Sequence, residues 1–187
     1  DNRLLALVIL IIPIIVLASS TLTFYLGYKP NTTTNNGQLI VPQIGTDDLN
    51  LSTADGKPFL FKKGKWYLLY FEDFKNLEFS NEKYQMLFSL NTTLGREMNR
   101  VKRAVILKED VVPEEYADLL KNYPNVFFLV DKNSVLSQRI SGVSNDPFIS
   151  KSIFLLDDFS NLMEEFPSNL EFKEIFEDLK TLSLIHI

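Results

Sequence analysis

The chain has 187 residues, of which 19 are Lys or Arg and 24 are Asp or Glu; the formal charge of −5 argues against a nucleic-acid coat, since phosphate neutralisation needs a basic face. It holds no cysteine and one histidine, which excludes disulfides, thiolate nucleophiles, thiolate metal sites and His clusters, and His186 stands too near the end to suggest a Ser-His-Asp triad. This length suits one ordinary domain with an appendage.

In chain order, the first feature is a charge-free apolar stretch from Leu4 to Tyr28, predicted as a transmembrane helix over 4–28. At ~1.5 Å per residue it reaches roughly 37 Å, enough to cross a ~30 Å hydrocarbon core with some tilt. Pro13 is tolerated in lipid, and Phe24, Tyr25 and Tyr28 gather at the far end as interfacial aromatics do, before Lys29-Pro30. The competing reading is a cleaved signal peptide, for which Ala18-Ser19-Ser20 offers small residues; its apolar region is ordinarily about 7–15 residues, shorter than this one. An uncleaved anchor is therefore expected, and Arg3 against Lys29 places the bulk of the chain outside the cytoplasm. Residues 29–48 read as a linker, because Asn31 to Gly37 are polar and aperiodic. Asn31, Asn50 and Asn91 begin N-x-[ST] triplets, which arise often by chance.

Residues 49–187 read as one domain. Asp55-Gly56 marks a hairpin within Leu49 to Phe61. Lys65 to Phe71 and Lys102 to Leu107 are apolar runs expected of strands buried on both faces, and Val126 to Val130 is a third strand. Ser80 to Met98 has Tyr84, Leu87, Phe88 and Leu94 at helical spacing, with Ser80 as N-cap. Pro113-Glu114-Glu115 opens a helix that ends near Tyr123-Pro124, with acids in its first turn as the helix dipole favours. Ser134 to Ile140 is a short helix. Ser152 to Leu156 and Leu162 to Phe166 form an antiparallel pair around Asp157-Asp158, and Leu170 to Leu184 is an amphipathic helix with Phe172, Ile175, Phe176, Leu179 and Leu182 on one stripe. Two βαβ crossovers, a hairpin and a last helix make an α/β fold with a thioredoxin-like mixed sheet flanked by helices.

Several stretches resemble the small single-span Sco/thioredoxin-like proteins encoded among proteobacterial cytochrome oxidase assembly genes. They are Asn36 to Pro42, Gly64-Lys65-Trp66, Leu94-Gly95-Arg96-Glu97 with Arg100-Val101-x-Arg103, Asn161-Leu162-Met163 with Phe166-Pro167, and Asp178-Leu179-x-x-Leu182-Ser183-x-Ile185. The resemblance covers roughly residues 28–187 in matching order. It implies a bacterial inner-membrane protein with one span and its folded domain in the periplasm. Many relatives carry a Cys-x-x-x-Cys pair at the start of the first domain helix, and Sco-type proteins hold copper there with a distant histidine. Here that turn reads Phe74 to Asn81, with Asn76 and Ser80 at the two cysteine positions. Neither supplies a thiolate; soft Cu(I) prefers sulfur, and dithiol exchange needs thiols.

Met86, Met98 and Met163 are the remaining sulfur atoms, and Met86 and Met98 stand about 18 Å apart along one helix, too far to share an ion. Arg96, Arg100 and Arg103 form the densest basic cluster, read either as a solvated helix end or as a dock for an acidic partner or anionic head groups. Asp157-Asp158 reads as a turn and Trp66 as a core anchor. No P-loop, dinucleotide, zincin or nucleophile-elbow motif is present. The Glu72-Asp73-Phe74 segment and Phe79 lie at the carboxyl end of the first core strand, where open α/β sheets place their sites.

The expectation is a non-enzymatic, membrane-anchored interaction module without cofactor or metal. The resemblance implies that it assists cytochrome oxidase assembly, with oxidase subunits or other assembly factors as partners and no nucleic acid. The candidate contacts are Phe74, Asn76, Phe79, Ser80, Arg96, Arg100 and Arg103. Two alternatives stand beside it: a Sco-type copper metallochaperone or thiol-independent redox enzyme, and a structural membrane subunit of another complex.

Overall fold

The computed structural model describes residues 2–26, 35–109 and 112–185, which fall into two compact units, Asp1–Thr34 and Asn35–Ile187. The first unit is helix α1, Asn2–Tyr25, which runs through Pro13 without interruption. Leu7, Ile9, Leu10, Ile14 and Leu17 are all exposed, so the helix offers apolar surface on every side. A helix that is apolar all round is stable where lipid, not water, surrounds it. The hydroxyls of Ser19, Thr21 and Thr23 donate to the helix's own carbonyls at 2.7–2.9 Å, which removes their need for water. Leu7–Tyr25 is long and apolar enough to cross a membrane. Tyr28, Lys29-Pro30, the Asn31 triplet and His186 lie outside the described residues.

The second unit is built on eight strands: β1 (Gln38–Gly45), β2 (Leu51–Thr53), β3 (Pro58–Phe59), β4 (Trp66–Glu72), β5 (Val101–Leu107), β6 (Val126–Asp131), β7 (Ile153–Leu156) and β8 (Asn161–Phe166). They form one mixed sheet in the order β1-β8-β7-β4-β5-β6-β2-β3. The centre is parallel, with Trp66 to Glu72 in register with Val101 to Leu107, and Arg103 to Leu107 with Val126 to Val130. The flanks are antiparallel. All seven residues of β4 are buried, as its position with neighbours on both edges and layers on both faces requires.

Alternation along β4 divides the core. Tyr67, Leu69 and Phe71 face one side and pack with Leu136 and Ile140 of helix α4 (Val135–Ser141) and with Phe148 of the short helix α5 (Pro147–Ser150). Trp66, Leu68 and Tyr70 face the other side. There they meet Tyr84, Leu87 and Leu90 of α2 (Leu77–Thr93), Tyr116 and Leu119 of α3 (Glu114–Asn122), and Ile175 and Leu179 of α6 (Phe172–Ile185).

Three differences from the sequence reading have physical causes. Residues 38–45, assigned to the linker, are strand β1, paired antiparallel with β8 from Gln38↔Glu165 to Gly45↔Asn161. Only Ile40 and Ile44 are buried on this strand, and the register shifts between Leu39 and Ile44. The two-residue alternation that marks a strand is thereby hidden. Helix α2 begins at Leu77, not near Ser80, because the Asn76 side chain accepts a hydrogen bond from the Phe79 N–H at 3.0 Å. It ends at Thr93, before a 3-10 turn at Gly95–Asn99 whose Gly95 has φ +57°. Helix α5 was not anticipated; four residues are too few to show a period, although Asp146 caps it by accepting from Phe148 N–H at 2.9 Å.

Candidate functional site

The carboxyl end of β4 faces the first turn of α2, and residues from four elements meet there. The strand ends on Glu72, which is fully buried. Its Oε1 accepts from the Phe74 N–H at 2.8 Å and tightens the chain into a turn, with Phe74 at φ +55°. That left-handed conformation costs a non-glycine residue about 1–2 kcal/mol. The Phe74 ring turns inward to meet Tyr116 of α3 edge-on, with centroids 4.8 Å apart.

Polar atoms gather behind this turn. The hydroxyls of Tyr70 and Tyr84 and the Glu72 Oε2 are buried and have no hydrogen-bond partner. Burial first, then the negative charge of Glu72, pushes both phenols well above their ordinary range. Burial likewise raises the Tyr116 phenol, against a smaller opposing effect of a Ser80 hydrogen bond. Ser80 is 2% exposed and donates to the Asn76 carbonyl at 2.9 Å. The result is a closed set of neutral phenols beside a carboxylate.

Asp73 flanks this set as an ion pair with Lys151, from the end of α5, and lies 3.3 Å from the Lys75 ammonium. Burial pushes the Asp73 carboxyl up, but the two ammonium groups outweigh it and hold the carboxyl below the usual range. On the outer surface, Leu77, Glu78 and Asn81 of α2 and Glu115, Asp118, Leu119 and Asn122 of α3 line a groove of about 520 Å³. Three of its seven lining residues are acids.

The anticipated contact residues fall into two groups at opposite ends of the sheet. Phe74, Asn76, Phe79 and Ser80 meet at the carboxyl end of β4. Arg96, Arg100 and Arg103 lie at the amino end, where Trp66 pairs with Val101, so about 20 Å of strand separates the groups. Within the first group Phe79 is half-buried beneath the Lys83 ammonium, 5.3 Å from its ring. Asn76 is a helix cap and Ser80 is internal, so neither presents its side chain as a free surface ligand. In the second, Arg96 is exposed and Arg100 pairs with Glu97 at 2.9 Å. Arg103 is 4% exposed, which withdraws it from any flat contact surface.

The sequence singles out the Glu72-Asp73-Phe74 segment at the end of β4, but not its grouping with Tyr70, Tyr84, Tyr116 and Lys151. One signal was available: Glu72 is a charge closing an otherwise apolar run, where a strand buried on both faces should not end unless the carboxylate has a role. Copper enters only through the sequence resemblance to Sco-type proteins, and the donors present do not suit it. Phenol, amide and carboxylate oxygens are hard ligands poorly matched to Cu(I), and the Asn76 amide oxygen is already engaged. Among the described residues no group of three His, Cys, Asp or Glu side chains converges.

Residues 66–185 match the family described as transmembrane-like, thioredoxin-like, C-terminal domain. No curated protein matches the chain. Among solved structures, yeast Sco1 with copper bound is similar at TM-score 0.60 and 16% identity, over 76% of this chain and 93% of that one. BsSco, described as a member of the Sco family of cytochrome c oxidase assembly proteins, matches at TM-score 0.52 and 16% identity over 83% and 99%. Peroxiredoxin Q from Xanthomonas campestris matches at 0.53 and 14% over 79% and 98%. These likenesses, at 14–16% identity, show a thioredoxin-like fold. With its mixed sheet, its N-terminal apolar helix suited to a membrane span and its lack of cysteine, the chain belongs to the transmembrane-like, thioredoxin-like C-terminal domain family.

Proposed function

We propose that this protein is a non-catalytic, membrane-anchored docking module that assists the assembly of cytochrome oxidase. Its folded domain works on the periplasmic face of a bacterial inner membrane, and its partners are oxidase subunits or other assembly factors. The observation that carries this reading is the first turn of α2. Where Sco-type relatives place thiols, Asn76 and Ser80 spend their polar atoms on the helix itself. A turn that keeps its shape without thiols retains a surface for partners while offering copper and electrons nothing. The assembly role is taken from the description of BsSco and from the motifs shared with the oxidase gene clusters. An anchor at residues 2–25 supports it physically, since confinement to the bilayer raises the effective concentration of the domain near other membrane proteins.

Leu77 is 41% exposed and with Leu119 supplies the apolar part of the acidic groove between α2 and α3, while Phe79 lies half-buried on the same first turn of α2 outside the groove. A partner of complementary chemistry presents a basic segment with an apolar residue. The test is affinity capture of the full chain from mild-detergent membranes, with metal analysis of the same eluate. Oxidase subunits without stoichiometric copper are expected, together with their loss in Leu77→Lys/Phe79→Asp. Stoichiometric copper without a partner, or unchanged capture by that double variant, would overturn the proposal.

A further inference from the structure

The amino end of the sheet holds a second feature that does not depend on the docking role. A cavity of about 410 Å³ opens between the end of α2, the 3-10 turn and the starts of β5 and β6. Its polar wall includes Asn91, Asn99, Lys102, Arg103 and Asn125, and its apolar wall includes Phe88, Met98 and Phe127. In a chain of net charge −5, this wall has two cations and no carboxylate.

Arg103 is the unusual member. Its guanidinium lies 5.1 Å from the Phe88 ring centroid, and Nη2 donates to the Pro124 carbonyl at 2.8 Å. Nη1 is buried without a partner, and burial alone lowers the guanidinium's proton affinity, with no carboxylate opposing it. A ring face and one carbonyl hold the group in place but do not neutralise it. Removing an unpaired charge from water is costly, and a bound anion is the natural compensation. The Asn91 amide, meanwhile, donates both its hydrogens to the Met98 and Val101 carbonyls at 3.0 and 2.7 Å, tying the 3-10 turn to the mouth of β5. The cavity is thus walled by fixed elements and falls within the ~300–1,000 Å³ range of small-molecule sites.

We propose that this cavity binds a small organic anion, its phosphate or carboxylate group held by Arg103 on the α2 face of the sheet and attracted by the charge of Lys102 from the other face of the strand, and its apolar body by Phe88 and Met98. A guanidinium suits such oxyanions because its planar donors match their geometry, and the aromatic walls favour a flat or short apolar body.

The experiment is a titration of the full chain in neutral-detergent micelles with phenyl phosphate, followed by backbone amide NMR, with phenol as the uncharged comparison. Saturable shifts are expected at Val101 to Arg103 and Asn125 to Phe127, absent with phenol. Arg103→Gln should abolish them. Lys102→Glu, at a half-buried strand position that tolerates change better, should weaken binding about tenfold or more while keeping the amide spectrum dispersed. Lys121→Glu, on an exposed face of α3, should leave it unchanged. Equal shifts with phenol, shifts outside the cavity, or wild-type affinity in Lys102→Glu would overturn the proposal.

Discussion

The Oδ2 of Asp178 in α6 accepts the backbone N–H of Gly37 at 2.9 Å, joining positions 141 residues apart in the chain. The same oxygen accepts the Asn36 N–H at 2.8 Å, and Oδ1 accepts the Asn36 amide at 3.1 Å. A single buried carboxylate thus ties the entrance of the domain to its last helix. The clamp is close: a Cβ on Gly37 would come within 2.7 Å of Glu164 Oε1 and of the Phe166 ring. Asp178→Ala leaves two backbone donors without a partner and is expected to cost about 2–4 kcal/mol. The urea midpoint of the full chain in micelles reads this directly; a change within error would refute the clamp.

Glu164 lies beside this clamp, fully buried, with Oε1 accepting from the Asn35 amide at 2.8 Å and Oε2 without a partner. Burial pushes its carboxyl up to about 7, aided by the Asp178 charge and opposed by the Asn35 hydrogen bond. The raised value means that the folded state holds the proton more tightly than the unfolded chain. Its contribution to stability is full below pH ~4.5 and is lost as the pH rises through about 7. Glu164→Gln mimics the protonated form, so it should remove much of the wild-type decline between pH 5 and 8, on the order of 2–3 kcal/mol. Parallel pH profiles for the two proteins would contradict this.

Asp73 has the opposite sign. Lys151 and Lys75 hold its carboxyl below the usual range, so the ion pair stabilises the fold above pH ~4 and the benefit fades as the pH falls. Lys151→Met strands a buried carboxylate with only the exposed Lys75 as partner. A loss of about 1–3 kcal/mol at pH 7 is expected, shrinking toward pH 3. Thermal unfolding of the two proteins across that interval checks both the size and the trend.

The first turn of α2 is held by Asn76. Asn76→Ala should cost ~1 kcal/mol, whereas Asn76→Asp should cost nothing, because a carboxylate caps equally well and favours the positive end of the helix dipole. Chemical denaturation of both variants distinguishes a cap from a contact residue. If Asp proved as damaging as Ala, the capping role would be wrong.

How much of this was legible beforehand varies with the range of the interaction involved. β4 and β5 were readable because a strand covered on both faces must be apolar throughout, and Leu68, Leu69, Ala104 and Val105 show it. The Asp157-Asp158 turn was readable because its stabilisation is local: the Asp157 carboxylate accepts the N–H groups of Phe159 and Asn161 at 2.9 and 2.8 Å. Arg103, read with Arg96 and Arg100 either as a solvated helix end or as a dock, is buried instead, because its parity with Val101 and Val105 on β5 points it inward. Ser80, read as the N-cap of α2, lies one turn inside the helix, and Asn76 caps it; a shift of one turn leaves the apolar spacing unchanged.

An apolar helix of membrane-spanning length, a sulfur supply limited to three methionines and a succession of strands and helices that admits a thioredoxin-like sheet are all written in local stretches of the chain. These follow from composition and from periodicities that repeat within a few residues. Folding across the chain is what fastens Gly37 to Asp178, buries the carboxyl groups of Glu72 and Glu164 completely, and sets the Arg103 guanidinium at the wall of a cavity with no carboxylate in its lining. Each of those depends on what packs against the residue from elements distant in the chain. Burial of a charge is a property of the assembled surroundings, and no local pattern records it.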